Sequence, residues 1–111
     1  MADCLFCSIA AGEIPADVVI ETEDVIAFND INPAAPTHVL VIPRRHIPSA
    51  ADLGPGDSHV LASLLEVAAQ VGREVEGGWR LVTNVGADAG QSVFHLHFHV
   101  LGGRTLGWPP G

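Results

Sequence analysis

The stretch His95-Leu96-His97-Phe98-His99-Val100-Leu101 alternates between imidazole and apolar side chains. Successive side chains of a β-strand point to opposite faces, so an extended chain here places the three histidines on one face. The apolar set on the other face can pack on a core, while the imidazoles line a surface or a cleft. A single histidine is more often structural than catalytic. Three histidines at a spacing of two, after a glycine-rich loop, favour a functional site.

Two chemical roles fit three imidazoles on one strand: a three-histidine zinc site and nucleophilic catalysis by one imidazole. Ligands at alternate positions over five residues span about 13 Å at roughly 3.3 Å per residue. Zinc–nitrogen bonds are only about 2 Å long, so the spacing favours a nucleophile. An imidazole with its ordinary pKa near about 6.5 is largely neutral at pH 7 and approaches an anionic phosphate without repulsion.

The flanking sequence predicts an α+β domain with a mainly antiparallel sheet and one principal helix packed on it. We expect one domain over residues 1–111, with a tail at 102–111 that is rich in glycine and proline. The predicted elements are helical turns at 4–11, strands at 18–20 and 25–28, a central strand at 38–42, a helix from Asp57 or Ser58 to Gly77-Gly78, and strands at 79–84 and 95–101.

The charge balance narrows the function classes. The net charge is −8, and all five basic residues are arginines. Such a chain lacks the basic footprint of a nucleic-acid binder. No apolar run is long enough to span a bilayer, and the acidic start of the chain predicts no secretory signal, so we expect a cytoplasmic protein. Any bound phosphate must be held by backbone N–H groups, helix ends or histidines.

Three further features each allow two interpretations from the residues alone. The loop between Gly86 and Gly90 is either a plain hairpin connection or an anion cradle. Phe28 and Asp30 suit a base beside ribose hydroxyls, or equally a core residue followed by a turn. The C-x-x-C pair Cys4 and Cys7 supplies half of a four-ligand zinc site, or two buried thiols. A structural disulfide is not expected in a reducing cytoplasm.

The motif and its flanks resemble the HINT branch of the histidine triad superfamily over essentially the whole chain. The resemblance includes His-x-His-x-His followed by two apolar residues, and it extends upstream through Gly90 to Phe94. It also covers residues 36–43 and the C-terminal Trp108-Pro109-Pro110-Gly111. The triad with these flanks is far more specific than the triad alone.

The resemblance implies a five-stranded antiparallel sheet with two helices, paired in a homodimer with a continuous sheet. It implies hydrolysis of purine nucleoside phosphoramidates, chiefly AMP joined to an amine. His97 would attack the α-phosphorus, and water would hydrolyse the adenylyl-histidine intermediate. In the family the tail crosses the dimer and shapes the leaving-group side of the partner. A dinucleoside polyphosphate hydrolase of the same superfamily, and a nucleotide-binding interaction protein with incidental activity, remain as alternatives.

The same resemblance assigns roles to individual residues. His99 would contact phosphate oxygens or the leaving group, Ser92 would donate to the departing amine, and His38 would support the triad from the neighbouring strand. The nucleotide would be held by Phe6, Ile9, Ile14, Phe28, Asp30, Ile31, Leu40, Asn84, Gly90, Gln91, Ser92 and Val93. A structural zinc would be held by Cys4, Cys7, His46 and His95.

Overall fold

A five-stranded antiparallel sheet with the strand order β1-β2-β3-β5-β4 is the centre of the computed structural model. The structure describes residues 4–111, so Met1 to Asp3, on which the expectation about a secretory signal partly rests, lie outside it. The described residues form helices α1 (Leu5–Ala10) and α2 (Ser58–Gly72) and strands β1 (Val18–Glu21), β2 (Val25–Asn29), β3 (Thr37–Pro43), β4 (Trp79–Val82) and β5 (Phe98–Gly102). The predicted α+β class, with five antiparallel strands and two helices, is confirmed.

Strand β3 lies in the middle of the sheet, between β2 and β5. Every residue of β3 after Thr37 is buried, as its nearly continuous apolar sequence predicts. The cross-strand pairs fix which side chains share a face. His99 of β5 lies opposite Leu40, and His38 lies two residues before Leu40 on that same face. The register therefore brings a histidine of β3 close to the last histidine of the motif.

The two faces of the sheet build two separate cores. Helix α2 packs on one face through Leu64, Val67, Ala68 and Val71, against Val39 and Val41 of β3 and Phe98 and Val100 of β5. Helix α1 packs on the opposite face through Phe6 and Ile9, against Ile26, Phe28, Leu40 and Ile42. The apolar side of the histidine motif, including Leu96, therefore belongs to the α2 core, as its alternation predicts.

Helix α2 is shorter than predicted, because it ends at Gly72 and not at Gly77-Gly78. The indole of Trp79 covers Gly72 so closely that a Cβ there would lie 2.1 Å from a ring carbon. The indole can pack across this end of the helix only because residue 72 is a glycine and has no side chain. With 15 residues, α2 is the longest helix of residues 4–111, and none of the helices there has the length and apolar character that a membrane span needs.

Two predicted strand boundaries were wrong. Strand β5 begins at Phe98, so His95 and His97 precede it, and β4 ends at Val82 rather than at Asn84. Leu96 N–H donates to the carbonyl of Ile47 at 2.6 Å instead of to a strand partner, and the hydroxyl of Thr83 donates to the carbonyl of His97 at 2.8 Å. These bonds replace the ladder and turn the first two histidines away from the regular strand geometry.

Candidate active site

The ring of His97 is held by its own chain. Its Nδ1 lies 2.7 Å from the carbonyl oxygen of His95. A carbonyl can only accept, so Nδ1 carries the proton and the lone pair is on Nε2. The edge of the ring meets the Phe6 ring at 5.1 Å between centroids, and the residue is only 6% exposed. Within residues 4–111, Nε2 of His97 has no hydrogen-bond partner, so its lone pair is free to meet a bound ligand.

A chain of hydrogen bonds fixes the tautomer of His99. The backbone N–H of Ala34 donates to Nδ1 of His38 at 2.9 Å, so the proton of His38 is on Nε2. That Nε2 lies 2.8 Å from Nδ1 of His99 and 3.4 Å from the carboxylate of Asp30. His38 therefore donates to His99, and the proton of His99 is on Nε2.

Nε2 of His99 is buried and makes no hydrogen bond with any described residue. Leaving a buried donor unpaired costs about 1–3 kcal/mol, so such a group in a site marks a place where a ligand can supply the acceptor. Burial lowers the pKa of His99 to about 4, with smaller contributions from His97 and His38 that outweigh the opposing effect of Asp30. His99 is therefore a neutral N–H donor at pH 7. Its ring centroid lies 5.0 Å from that of His97.

The loop before the motif is held by Gln91. Its amide oxygen accepts from the N–H of Gly86 at 2.9 Å, and its amide nitrogen donates to the carbonyls of Pro48 and Val93. The N–H groups of Gly90 and Gln91 are also bound within the loop. Gly90 has a φ of +100°, which favours glycine. Neither the N–H of Ser92 nor that of Val93 bonds to another described residue, so these two remain free for an anion.

The predicted base pocket is partly assembled by the α1 core. Phe6, Ile9, Phe28 and Leu40 are buried together, and the Phe6 and Phe28 rings meet edge to face at 5.6 Å. Val93 packs against this cluster. Ile31 is 91% exposed and Ile14 is 39% exposed, so these two lie outside it.

One carboxylate oxygen of Asp30 accepts from the N–H of Asn32 at 2.8 Å, and the other faces His38. The Asn84 amide nitrogen lies near Gly90.

Cys4, Cys7, His46 and His95 form a second cluster, with their ligand atoms within 4.8 Å of one another. Nδ1 of His95 lies 3.3 Å from Sγ of Cys4 and 3.5 Å from Sγ of Cys7. Nδ1 of His46 lies 3.3 Å from Sγ of Cys7 and 3.3 Å from Nδ1 of His95. Three segments of the chain contribute. Cys4 caps α1 and Cys7 lies in its first turn, His46 follows β3, and His95 precedes β5.

These distances fit a tetrahedral metal site. Zinc bonds of about 2.0–2.3 Å to nitrogen and sulfur place neighbouring ligand atoms roughly 3.3–3.8 Å apart. Nε2 of His95 lies 2.8 Å from the carbonyl of Pro43, so it carries the proton and leaves the Nδ1 lone pair for the cluster. Burial lowers the pKa of His95, which keeps this ring neutral. The ring is fully buried. The Cys/His cluster could therefore bind a metal ion.

The sequence pattern singled out most residues that the fold brings together, but it missed two contacts. The backbone N–H of Ala34, which sets the tautomer of His38, has no signal in the side-chain pattern. Arg104 donates to the carbonyl of the same Ala34 through Nε and Nη2. The sequence signal for Arg104 is its place two residues after a strand in a chain with only five basic residues. His59 is exposed, and its Nε2 lies 2.9 Å from the Asp24 carboxylate.

The HIT domain family matches residues 11–106. An uncharacterized HIT-like protein of Synechocystis sp. is 48% identical, and the alignment covers 98% of this chain and 97% of that protein. A crystal structure of a HIT family hydrolase from Legionella pneumophila superposes with a TM-score of 0.94 at 50% identity, covering 98% of this chain and 100% of that one. A HIT family hydrolase from Clostridium thermocellum gives a TM-score of 0.92 at 44% identity and 96% coverage of both chains.

Proposed function

Because the chain belongs to the HIT domain family, we propose that it is a hydrolase that cleaves the P–N bond of AMP–amine compounds through an adenylyl-histidine at His97. The family and its hydrolase neighbours support the hydrolase class. The observation that carries the finer proposal is the hydrogen bond from Nδ1 of His97 to the carbonyl of His95. This bond supports the proposal because it leaves the lone pair on Nε2, which a nucleophile needs.

In the first step, Nε2 of His97 attacks the α-phosphorus and the bond from phosphorus to the amine nitrogen breaks. The amine takes the bonding electrons and needs a proton to leave, which the hydroxyl of Ser92 donates. In the second step, water attacks the phosphorus of the adenylyl-imidazole and gives a proton to the Ser92 oxygen, which restores its hydroxyl. The bond from phosphorus to Nε2 breaks, AMP leaves, and the lone pair returns to Nε2. The carbonyl of His95 stabilises the positive charge on the ring of the intermediate.

His99 serves this reaction as a donor to a phosphoryl oxygen. Its buried, unpaired Nε2–H gains a partner when an anionic oxygen arrives, and a fixed donor in a water-poor site strengthens as negative charge develops. His38 keeps that proton on Nε2. A neutral donor suits a chain with a net charge of −8, because N–H groups near the phosphate then do the work that a cluster of basic side chains does in other proteins.

The free N–H groups of Ser92 and Val93 complete the phosphate cradle. Gly90 and Gln91 contribute by shaping the loop, since their own N–H groups are already bound. Asn84 reaches the phosphate or ribose from the end of β4. The purine packs against Phe6, Phe28 and Leu40, and Asp30 with the exposed Ile31 borders the ribose.

A substrate panel tests this proposal. We expect AMP release from an AMP–amine substrate to be at least about tenfold faster, in kcat/KM, than from a dinucleoside polyphosphate. In the proposed site Ser92 supplies the proton that a leaving amine needs, and a phosphate leaving group gains nothing from this donor. Product analysis by ³¹P NMR and chromatography measures both reactions. Faster cleavage of the dinucleoside polyphosphate would assign the protein to the alternative hydrolase class. Tight AMP binding without turnover of either compound would make it a binding protein.

The homodimer belongs to the same proposal. Within the described residues β4 is an edge strand of the sheet, and it presents the partly exposed Trp79 and Leu81. An open edge with apolar side chains is suited to pairing with a second copy. The tail is tethered to this edge, because Arg80 donates to the carbonyl of Gly107 at 2.9 Å and lies 6.0 Å from the Trp108 ring centre.

Deleting residues 105–111 should change substrate preference more than stability. Trp108 is 82% exposed, so its removal takes little from the core, and we expect the unfolding midpoint to move by only about 2 °C. In a dimer the tail would border the leaving-group side of the partner's site. The ratio of kcat/KM values for a bulky and a small amine should therefore fall about fivefold. An unchanged ratio across several amines would refute the assignment.

A further inference from the structure

Arg104 is bound to the turn that precedes β3. Its Nε and Nη2 both donate to the carbonyl of Ala34, at 3.3 and 3.0 Å, and its Nη1 donates to the carbonyl of Thr105 at 3.0 Å. The guanidinium fork therefore joins two segments that are 70 residues apart in sequence. Arginine suits this contact, because its donors are held rigidly in one plane.

The peptide held by Arg104 adjoins the peptide that controls the histidines. The carbonyl of Ala34 accepts from Arg104, while the N–H of Ala34 donates to Nδ1 of His38. His38 donates in turn to His99. The direction of every later hydrogen bond in this series depends on the N–H of Ala34 facing His38.

We propose that Arg104 is a positioning residue that fixes the tautomers of His38 and His99 by clamping Ala34. The two neutral tautomers of an imidazole are close in energy, so the partner groups decide which one forms. Without the Ala34 donor, both rings could reverse. His99 would then donate to His38 from Nδ1 and present a lone pair at Nε2. That lone pair repels a phosphoryl oxygen, so the reversed state is unproductive; this consequence for catalysis rests on the proposed function.

Other contacts hold the two ends of this turn, but they do not bind the carbonyl of Ala34. The carboxylate of Asp30 accepts from Asn32 N–H at 2.8 Å and fixes the start of the turn. Gly103 touches its end so closely that a Cβ there would lie 2.8 Å from Pro36. Of the side chains in residues 4–111, only that of Arg104 donates to the carbonyl of Ala34.

Histidine NMR tests the tautomers without any substrate. In ¹⁵N-labelled protein at pH 7, two-bond ¹H–¹⁵N spectra distinguish Nδ1–H from Nε2–H rings. The wild type should show single Nε2–H tautomers at His38 and His99. Arg104→Ala should populate the Nδ1–H form of both rings. Arg80→Ala is the matched control, since it removes an arginine that also binds tail backbone but does not touch Ala34, and its spectra should match the wild type.

The activity readout is separate. Arg104→Ala should lower kcat by about tenfold with little change in KM, a smaller loss than the roughly 100-fold or greater effect of deleting a catalytic donor. If the wild type turns over no AMP–amine substrate, the proposed function fails and the tautomers still decide the role of Arg104. If Arg104→Ala is folded and its spectra match those of the wild type, the positioning role of Arg104 is refuted. If circular dichroism shows that this variant is unfolded, Arg104→Lys replaces it: partial reversal supports the clamp, and wild-type spectra refute it.

Discussion

Replacing His97 with alanine is expected to lower the single-turnover rate on an AMP–amine substrate by at least about 10⁴-fold, the scale seen when a catalytic nucleophile is removed. The proposed reaction forms its new bond at Nε2 of His97, and no neighbouring group among residues 4–111 is placed to replace it. His99 is 5.0 Å away between ring centroids, but its Nε2 carries a proton and has no lone pair to offer. Its pKa of about 4 leaves it neutral at pH 7.

Rapid quenching followed by mass spectrometry of the intact protein gives a second measurement of the same step. The wild type should carry one covalent adenylyl group early in the reaction, and the His97→Ala protein should carry none. His59→Ala is the matched control, because it makes the same substitution at an exposed histidine whose partner is Asp24; its rate should stay within about twofold of wild type. Adenylylated His97→Ala protein, or turnover near the wild-type rate, would contradict the assignment of the nucleophile.

The sheet could be predicted because its evidence is local. The apolar run of β3 indicates a strand buried on both faces, and the alternation through Leu96, Phe98 and Val100 identifies the side chains that pack under α2. The end of α2 could not be predicted in this way. Gly72 resembles any helix glycine until Trp79, seven residues later, folds back across it.

The site divides in the same manner. Spacing placed three histidines together, but it could not show that they have three different environments. His95 binds the carbonyl of Pro43, His97 binds the carbonyl of His95, and His99 accepts from His38. The first of these bonds joins residues 52 positions apart in sequence, and the third depends on the N–H of Ala34 through His38. The same holds for the loop before the motif. Its sequence makes Gln91 a candidate phosphate ligand, but the side chain of Gln91 hydrogen-bonds to Gly86 and Pro48 and holds the loop in place.

His95 joins the two halves of the site, because its ring faces the Cys/His cluster and its backbone carbonyl faces the ring of His97. Its Nδ1 lies among Cys4, Cys7 and His46, and its carbonyl fixes the tautomer of His97. We propose that the cluster holds a structural zinc ion. The ion would then anchor α1 and the segment before β5, and the site would keep its shape for that reason.

Replacing Cys7 with serine should release the metal and lower the unfolding midpoint by about 10 °C or more. A structural zinc contributes folding free energy directly, and a loss of about 3 kcal/mol corresponds to such a shift in a chain of this size. Cys7 is the sharper choice, because Cys4 also accepts the Cys7 N–H at the start of α1, so its loss would mix two effects. The measurements are metal content by elemental analysis and thermal unfolding followed by circular dichroism.

Chelation of the wild type should reproduce the loss of stability, and added zinc should restore it. His59→Ala should keep one equivalent of zinc, because its exposed ring lies outside the cluster. Wild-type protein that contains no metal after purification, and whose unfolding midpoint is the same with zinc and with chelator, would reduce the cluster to two thiols beside two imidazoles. In that case the 3.3 Å approach of the His46 and His95 Nδ1 atoms would need a shared proton, and the orientation of His97 would depend on the fold alone.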